Sequence, residues 1–343
     1  MANNTAYAPT SVNTYGDISP RTAAYAASEL LKRGDPLLVF ERYGQAKPLP
    51  KNSTQTMKFR RYKALPLATT PLTEGVTPTG SSLTYEDVTA VLKQYGDFVA
   101  ITDVIEDTHE DPILRETMSL CGEQAAQTLE TVRYGVLNAG TNVFRAGGVN
   151  ARNLVATGLT IGLQRKIVNS LQRQLAGRIT NIVTASPNFA TEPIAPAYIA
   201  VCHVDLETSI RQLPGFVPVE KYSDAMKAQP GEIGKVESVR YIGTTMALPF
   251  EGAGASVTDY MAHSGKADVY PILFFGKDAY GLVSLKGKNA VTPIVLNPNT
   301  PRGGDPLGQR GSIGWKAYST AVILNEAWMA RAEVAVPTSF ENA

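Results

Sequence analysis

The most informative pattern of apolar and polar positions runs from residue 53 to residue 140. Residues 54–67 alternate apolar with polar side chains, and residues 83–104 are rich in β-branched and aromatic side chains, which predicts two extended arms. Residues 69–82 between them are rich in proline, glycine and hydroxyl side chains, as is typical of an exposed turn. At ~3.3 Å per residue the arms would reach roughly 45 and 70 Å, far beyond a typical strand of ~17–20 Å. We therefore expect the second arm to bend, with a bulge at Gly96, and the hairpin to lie across a neighbouring chain.

A long helix is predicted to follow directly, over residues 111–140. Asp111 suits the N-cap, Pro112 the first helical position, and Asn138 with Gly140 the end. Apolar residues then recur at spacings of three and four, which predicts a single buried stripe: Leu114, Met118, Cys121, Ala125, Leu129, Val132 and Val136. A helix of roughly 40 Å at 1.5 Å per residue exceeds the average of ~11–12 residues, so it is expected to act as a structural spine.

Two shorter helices and a strand-rich region complete the pattern. A first helix is expected from Ser19 to Gly34, after a polar arm, and another from Thr160 to Gly177. The second has Leu163, Ile167, Leu171 and Leu175 at spacings of four. From residue 197 onward we expect strands, a short helix opened by Asp205 and a loop over 297–314. The expected strands cover 197–204, 235–248, 269–275, 280–285, 291–296, and a final segment over 322–336 interrupted near residue 325. The fold class is therefore α+β.

Composition narrows the class of protein. Apolar residues make up 43% of the 343 residues, enough for a sizeable core, whereas charged residues make up 18%. So low a charge content indicates surface buried between subunits or a plain β-rich enzyme, and both interpretations stay open here. The net charge of +1 gives no overall bias toward nucleic acid or membrane. The two cysteines are expected to be buried thiols, and the polar N-terminus predicts no secretory signal.

Candidate catalytic groups are few. The best set is His203 and Asp205, which share a strand face, with His263 downstream, a loose match to an iron-binding triad. A capping role for Asp205 at the start of a helix is the stronger interpretation. The cluster His109-Glu110-Asp111 is likewise expected to open a helix, where the helix dipole favours acidic groups. We find no phosphate-binding loop and no nucleophile elbow, so we predict a protein that is not an enzyme and has no cofactor or metal.

One stretch has a marked charge bias. No acidic residue occurs between Glu130 and Glu192, a window that holds seven basic residues. Four of them are candidates for weak, non-specific contact with a nucleic-acid backbone: Arg165, Lys166, Arg173 and Arg178. The competing interpretation is a solvated helix face or a set of internal salt bridges. Few aromatic residues are nearby, so base stacking or sequence readout is not indicated.

Several phrases resemble a known family. These are PLTEGVTP (71–78), QYGDFVAITD (94–103), and DPLGQRG (305–311) followed by GWK (314–316). Together with the order of elements, they resemble major capsid proteins of tailed bacteriophages with the Hong Kong 97 phage-type fold, in the branch typified by the phage N4 coat protein. The similarity spans roughly residues 14–337.

The resemblance implies a shell subunit that forms hexamers and pentamers of an icosahedral head around double-stranded DNA. It implies assembly in the bacterial cytoplasm, a place in the virion, and portal, scaffolding and decoration proteins as further partners, with no membrane. The implied parts are an N-terminal arm (1–50), an extended hairpin loop (51–106), a peripheral domain (107–195 and 315–343) and an axial domain (196–314). Candidate intersubunit contacts on the hairpin are Met57, Phe59, Glu74, Tyr85 and Phe98. The alternatives are an encapsulin-like shell around a cargo enzyme, the metal-dependent enzyme above, and a monomeric binding module.

Overall fold

The computed structural model describes residues 38–52, 54–63, 65–108, 113–184, 190–222, 228–285, 291–299, 301 and 303–338. The predicted first helix, Ser19–Gly34, lies outside the described residues. So do the predicted helix-start residues His109 to Pro112.

The described chain is mostly strands, with a few helices between them. The α-helices are α1 (Asp103–Thr108), α2 (Ile113–Leu137), α3 (Ile161–Arg173) and α4 (Glu207–Arg211). The strands before residue 200 are β1 (Gln45–Leu49), β2 (Thr56–Tyr62), β3 (Tyr85–Val91), β4 (Lys93–Thr102), β5 (Val143–Arg145), β6 (Ile179–Thr184) and β7 (Ala190–His203). The remainder are β8 (Phe216–Pro218), β9 (Glu232–Val236), β10 (Val239–Thr244), β11 (Ala262–His263), β12 (Lys266–Ala267), β13 (Tyr270–Phe275), β14 (Tyr280–Leu285), β15 (Val291–Leu296), β16 (Arg310–Ile323) and β17 (Met329–Val334). The predicted α+β class and the strands over 280–285 and 291–296 are confirmed, and the strand predicted over 269–275 is confirmed to within one residue.

The spine helix α2 packs on a five-stranded sheet. That sheet has the order β1-β14-β16-β15, and the whole length of β4 pairs with the first part of β16. The predicted stripe is confirmed at its centre, where Cys121, Ala125 and Leu129 are buried against sheet residues that include Ile313 and Trp315. The helix has 25 residues and is therefore about 37 Å long.

The second sheet has eight strands in the order β5-β17-β13-β7-β10-β9-β8, with β6 added beside β7. All six residues of β13 are buried, because elements cover this strand on both faces. Helix α3 covers one face, and its Leu163, Ile167 and Leu171 pack into the largest apolar cluster of the described residues. A second cluster joins the two sheets, where Tyr280 donates a hydrogen bond to the Phe40 carbonyl at 2.6 Å.

Strands β2 and β3 form an antiparallel hairpin in register from Thr56↔Val91 to Tyr62↔Tyr85. Its base is fixed to the body of the molecule by a small cluster. Phe59, Ala90 and Leu92 are buried there with Leu49 and Val283. The predicted hairpin is confirmed, but its second arm is interrupted.

The prediction of a bulge at Gly96 is wrong. The β4–β16 register is continuous through Gly96↔Lys316, and the second arm instead breaks at Leu92, between β3 and β4. Leu92 is buried and donates its N–H to the Gln55 carbonyl at 2.9 Å. The second arm therefore changes its pairing partner at Leu92: β3 pairs with β2 in the hairpin, whereas β4 pairs with β16 of the five-stranded sheet.

The predicted end of α3 at Gly177 is also wrong. The helix ends at Arg173, and Leu175 takes a left-handed conformation with φ of 56°. The amide of Ala176 donates to the Leu171 carbonyl and that of Leu175 to the Gln172 carbonyl, both at 3.0 Å, the pattern of a Schellman cap. Leu175 is consequently 85% exposed instead of continuing the buried stripe.

Each of the two sheets combines strands that the predicted domain bounds place in different domains. Strands β14 and β15, expected in the axial domain, pair with β16 in the five-stranded sheet. Strand β17, expected in the peripheral domain, pairs with β13 in the eight-stranded sheet. Strand β16 also begins at Arg310, inside the predicted loop 297–314. Backbone pairing partners are a tertiary property, and side-chain periodicity does not contain them.

Candidate assembly surface

The exposed apolar surface of the chain is concentrated in one region. Twelve of the nineteen exposed large apolar side chains in the described residues lie between Tyr62 and Ile105. Within this region, we call residues 65–84 the hairpin tip. Its four most exposed large apolar side chains are Leu67, Leu72, Val76 and Leu83, with Leu67 at 88%. Side chains of this kind that are left in water mark an interaction surface.

The end of the hairpin ladder is held in shape by charged and aromatic pairs. Arg60 donates to both carboxylate oxygens of Asp87, at 2.8 and 3.0 Å, and its guanidinium lies 4.1 Å from the centre of the Tyr85 ring. The hydrogen bonds from Arg60 hold the pKa of Asp87 below its usual range. One step further, Tyr62 and Tyr85 meet edge to face with their ring centres 6.4 Å apart. The tip therefore leaves the body from a stiffened ribbon.

A shallow groove of about 550 Å³ lies beside β4, on the five-stranded sheet. Gln124 of α2 organises it, because its amide nitrogen donates to Asp97 at 2.6 Å and its amide oxygen accepts from the Trp315 indole at 3.1 Å. The hydrogen bond from Gln124 lowers the pKa of Asp97. Phe98 lines the groove and is 69% exposed.

Two glycines allow β4 and β16 to lie this close. A Cβ on Gly314 would stand 2.6 Å from the Asp97 carbonyl oxygen, and a Cβ on Gly96 would stand 2.6 Å from that of Trp315. Such distances are far below van der Waals contact. Glycine at these positions therefore reflects close backbone approach.

The structure separates the five predicted hairpin contacts. Glu74, Tyr85 and Phe98 are exposed, and Met57 is partly buried. Phe59 is 6% exposed, because it is enclosed by its own chain. The interpretation of Phe59 as a residue that seeks a neighbour is therefore corrected: it anchors the hairpin base.

Three of the four predicted DNA-contacting residues share one exposed surface, which we call the basic face: Arg165, Lys166 and Arg173 of α3. They line a second shallow groove of about 550 Å³. Arg165 forms a salt bridge with Glu237 at 2.5 Å, and Lys166 lies 6.0 Å from the centre of the Phe144 ring. Arg178 lies beyond the helix, 6.0 Å from the Tyr198 ring. The interpretation as a solvated helix face therefore holds for part of the window, and contact with nucleic acid stays a prediction.

The other three basic residues of that window serve internal salt bridges. Arg145 and Arg152 bind the fully buried carboxylate of Glu333, at 3.0 and 2.6 Å. Arg133 binds Glu41 at 3.0 Å. Since these side chains are paired with acids of their own chain, they are not part of the basic face.

Sequence reasoning missed a buried carboxylate on the spine. One oxygen of Glu130 accepts the backbone N–H groups of Val39 and Phe40, at 2.7 and 2.8 Å, and so fixes the segment that enters the fold. Burial raises the pKa of Glu130, although the charge of Arg133 opposes the effect. Glu130 directly follows Leu129 of the buried stripe, and an acidic residue beside a buried position was the sequence feature that could have indicated a buried carboxylate.

The proposed metal triad does not come together. His203 Nδ1 lies 3.0 Å from Asp205 and accepts the Asp205 backbone N–H at 3.2 Å, so His203 caps the turn after β7. The prediction that Asp205 caps the following helix is wrong, because the N-cap of α4 is Leu206, which makes no side-chain hydrogen bond. Asp205 also accepts a hydrogen bond from Tyr270 at 2.9 Å. Among the residues that the structure describes, no group of three His, Cys, Asp or Glu is placed to hold a metal. Within those same residues, no helix has the length and apolar character needed to cross a membrane.

Comparison with known proteins gives a consistent result. A family model described as "Phage capsid protein" matches residues 85–332. No curated protein matches the chain by sequence.

Solved structures agree in fold. The capsid of Ralstonia phage GP4 aligns with a TM-score of 0.62 at 12% identity, over 87% of this chain and 88% of that chain. The head structure of Helicobacter pylori bacteriophage KHP40 aligns at 0.56 and 10% identity, over 85% and 87%. The cyanophage Pam1 capsid aligns at 0.55 and 13% identity, over 90% and 93%.

Proposed function

The chain belongs to the phage capsid protein family, and from that membership we propose that it assembles as hexamers and pentamers into an icosahedral head around double-stranded DNA. It is a structural protein of the virion. The observation that carries the proposed assembly is the hairpin, with its base buried in its own chain and its apolar tip in water.

The hairpin tip supplies the intersubunit contact. Apolar side chains such as Leu67 and Leu72 gain about 25 cal/mol for each Å² removed from water when a neighbour covers them. Tyr85 and Phe98 extend the same surface toward the body. Each subunit repeats the contact, so individually modest contacts add up around a closed shell.

We assign the fold to the Hong Kong 97 phage type, with parts defined by sheet membership. The five-stranded sheet with α2 forms the peripheral domain, and the eight-stranded sheet with α3 and α4 forms the axial domain. The hairpin of β2 and β3 is the extended loop, and residues before β1 form the N-terminal arm. This assignment moves the following elements across the bounds expected from sequence: β1, β4, β5, β6, α3, β14, β15 and β17.

The basic face is directed toward packaged DNA. Its Lys166 and Arg173 have no carboxylate within salt-bridge distance among the described residues, whereas Arg165 is partly compensated by Glu237. Such side chains soften the repulsion between DNA phosphates at the inner wall without reading sequence. Portal, scaffolding and decoration proteins complete the expected set of partners, and the chain itself has no catalytic role.

Electron microscopy of the expressed chain tests the assembly. We expect shells or capsomers from the natural sequence. Replacing Leu72 and Val76 together by serine should abolish them, because the tip loses its apolar contact, while the unfolding midpoint of the unassembled chain stays the same. A variant with Leu248→Ser, also exposed but far along the sequence from the hairpin, is the matched control. A single species of about 37 kDa under all conditions would contradict the proposal, and DNA-free shells from phage lysate would favour an encapsulin-like compartment.

A further inference from the structure

Four charged side chains meet at the edge of the eight-stranded sheet. Glu333 of β17 is fully buried and is surrounded by Arg145 of β5, Arg152 and Arg331, at 3.0, 2.6 and 3.2 Å. We call this group the Glu333 cluster. Three guanidinium groups surround one carboxylate, so the cluster has an excess of two positive charges. A second carboxylate within 4.0 Å of these arginines is absent from the described residues.

The excess charge is only partly open to water. Arg331 is nearly buried, and its Nε has no hydrogen-bond acceptor among the described residues. Arg145 and Arg152 remain 23% and 31% exposed. The Arg152 guanidinium is held in place 3.6 Å from the centre of the Phe250 ring. Oriented, half-desolvated guanidinium groups with uncompensated charge form a receptor for a carboxylate.

The hairpin tip carries a single charge of the opposite sign. Glu74 is the only charged residue between Leu65 and Thr84. It lies in a tight turn, where the Val76 N–H bonds the Thr73 carbonyl at 3.2 Å, and it is flanked by the exposed Leu72 and Val76. When the tip is covered by a neighbour, this lone carboxylate must find a cation, since an unpaired buried charge is costly.

We propose that Glu74 of one copy binds the Glu333 cluster of an adjacent copy, through Arg145 and Arg152. The proposal rests on the proposed assembly and names its partner residues. The tip is long enough, because ten residues in each direction reach up to about 33 Å beyond the ladder. Leu154, exposed in the turn after Arg152, lies beside the cluster in sequence and provides apolar surface for Leu72 or Val76. The basic face fits Glu74 less well, because its side chains are highly solvated and one of them is already paired with Glu237.

Disulfide trapping tests the pairing. The natural Cys121 and Cys202 are buried, so they do not interfere. We expect shells of E74C/N150C, with the second cysteine beside Arg145, to give a ladder of covalent multimers on a non-reducing gel after oxidation. The matched control is E74C/R173C, which places the second cysteine on the basic face and should give no ladder. Shells without a ladder from the first pair, or equal ladders from both, would overturn the pairing. Absence of shells from the natural sequence would instead defeat the proposed assembly.

If the E74C double variants do not assemble, a double-mutant cycle tests the same contact. We expect E74Q and R145Q each to raise the concentration needed for assembly about tenfold, and the double variant to raise it by no more than the larger single effect. Two independent effects, which would multiply to about a hundredfold, would refute a direct contact. The unfolding midpoint of each unassembled variant distinguishes a defect in pairing from a defect in folding.

Discussion

Glu130 of the spine helix accepts hydrogen bonds from the backbone of both Val39 and Phe40, at 2.7 and 2.8 Å. The carboxylate is fully buried and lies 3.7 Å from Arg133. One side chain therefore fixes the direction in which the N-terminal segment enters the fold. The apolar stripe of the same helix packs against the five-stranded sheet.

Replacing Glu130 by leucine should destabilise the chain by about 3–5 kcal/mol. Two buried N–H groups would be left without their acceptor, and Arg133 would be left with less charge compensation. Glu130→Gln, which keeps one acceptor oxygen, should cost less. Chemical denaturation of the unassembled chain measures both, and equal destabilisation by the two variants would show that the hydrogen bonds to residues 39 and 40 are not what matters.

Glu333 should make stability depend on acid. Burial alone would raise the pKa of Glu333, but the hydrogen bond and charge of Arg152, with the charges of Arg331 and Arg145, outweigh burial and hold the pKa below its usual range. The stabilisation is therefore complete above the ordinary pKa of a glutamate, about 4.3, and is lost as the pH falls through the lower folded value.

The difference between the natural chain and Glu333→Gln isolates this effect. Glu130 has a raised pKa and so contributes the opposite dependence, but it is present in both proteins. We expect the variant to be less stable by about 3–5 kcal/mol at neutral pH and the gap to narrow below about pH 4. The measurement is the unfolding free energy of both proteins from pH 7 to pH 3. A difference between them that stayed constant over this range would refute the lowered pKa of Glu333.

Gly314→Ala should destabilise the β4–β16 pairing by about 1–3 kcal/mol. The new methyl group would stand 2.6 Å from the Asp97 carbonyl oxygen and 2.8 Å from the Phe98 Cβ, so the strands must separate. Gly80→Ala is the control, because a Cβ there meets nothing within 4 Å. Its effect should stay within about 0.5 kcal/mol in a denaturation experiment on both variants.

Leu175→Gly should stabilise the chain by about 1 kcal/mol. The left-handed conformation at the end of α3 costs a side-chain-bearing residue about 1–2 kcal/mol, and the exposed leucine has little burial to lose. Leu175→Ala keeps the backbone strain and should change the thermal midpoint little. A lower thermal midpoint in the glycine variant would show that this side chain makes a contact in the folded chain.

The basic face predicts a specific change in salt dependence. K166Q/R173Q should lower the slope of the logarithm of DNA affinity against the logarithm of salt by about 0.9 for each phosphate that the variant no longer neutralises. Arg165→Gln should change it less, because Glu237 already compensates that charge. Filter binding of capsomers to duplex DNA over a range of salt concentrations measures the slopes, and unchanged slopes in the double variant would place these residues away from DNA.

Much of the architecture was accessible from local pattern. The spine helix was predicted because Cys121, Ala125 and Leu129 follow the helical repeat, and a buried stripe of this length has no other periodic solution. Strands β13, β14 and β15 were predicted at or within one residue of their observed ends. By contrast, the end of α3 was misplaced because the left-handed position went to a leucine and not to the glycine two residues later.

The candidate surface was only partly accessible. The composition of residues 69–82 predicted an exposed tip, and exposure of Tyr85 and Phe98 was expected. The pattern did not distinguish Phe59 from them, since all three are large aromatic residues in alternating strands. Whether such a residue is covered depends on which segment packs against it, here β1 and β14. Likewise, the sequence does not distinguish among the seven basic residues of the acid-free window. Only the fold shows which of them pair with Glu41, Glu237 and Glu333.

The sequence by itself determined the α+β class, the spine helix, the projecting hairpin and the family resemblance. The first three depend on periodicity and turn chemistry, and the resemblance rests on short phrases of sequence, so all four come from residues that are neighbours in the chain. Only the tertiary structure decided that β4 leaves the hairpin to pair with β16, that β17 joins the eight-stranded sheet, and that Glu130 and Glu333 hold distant segments together. Backbone pairing and charge compensation join residues far apart in the chain, so they become visible only when the chain is folded.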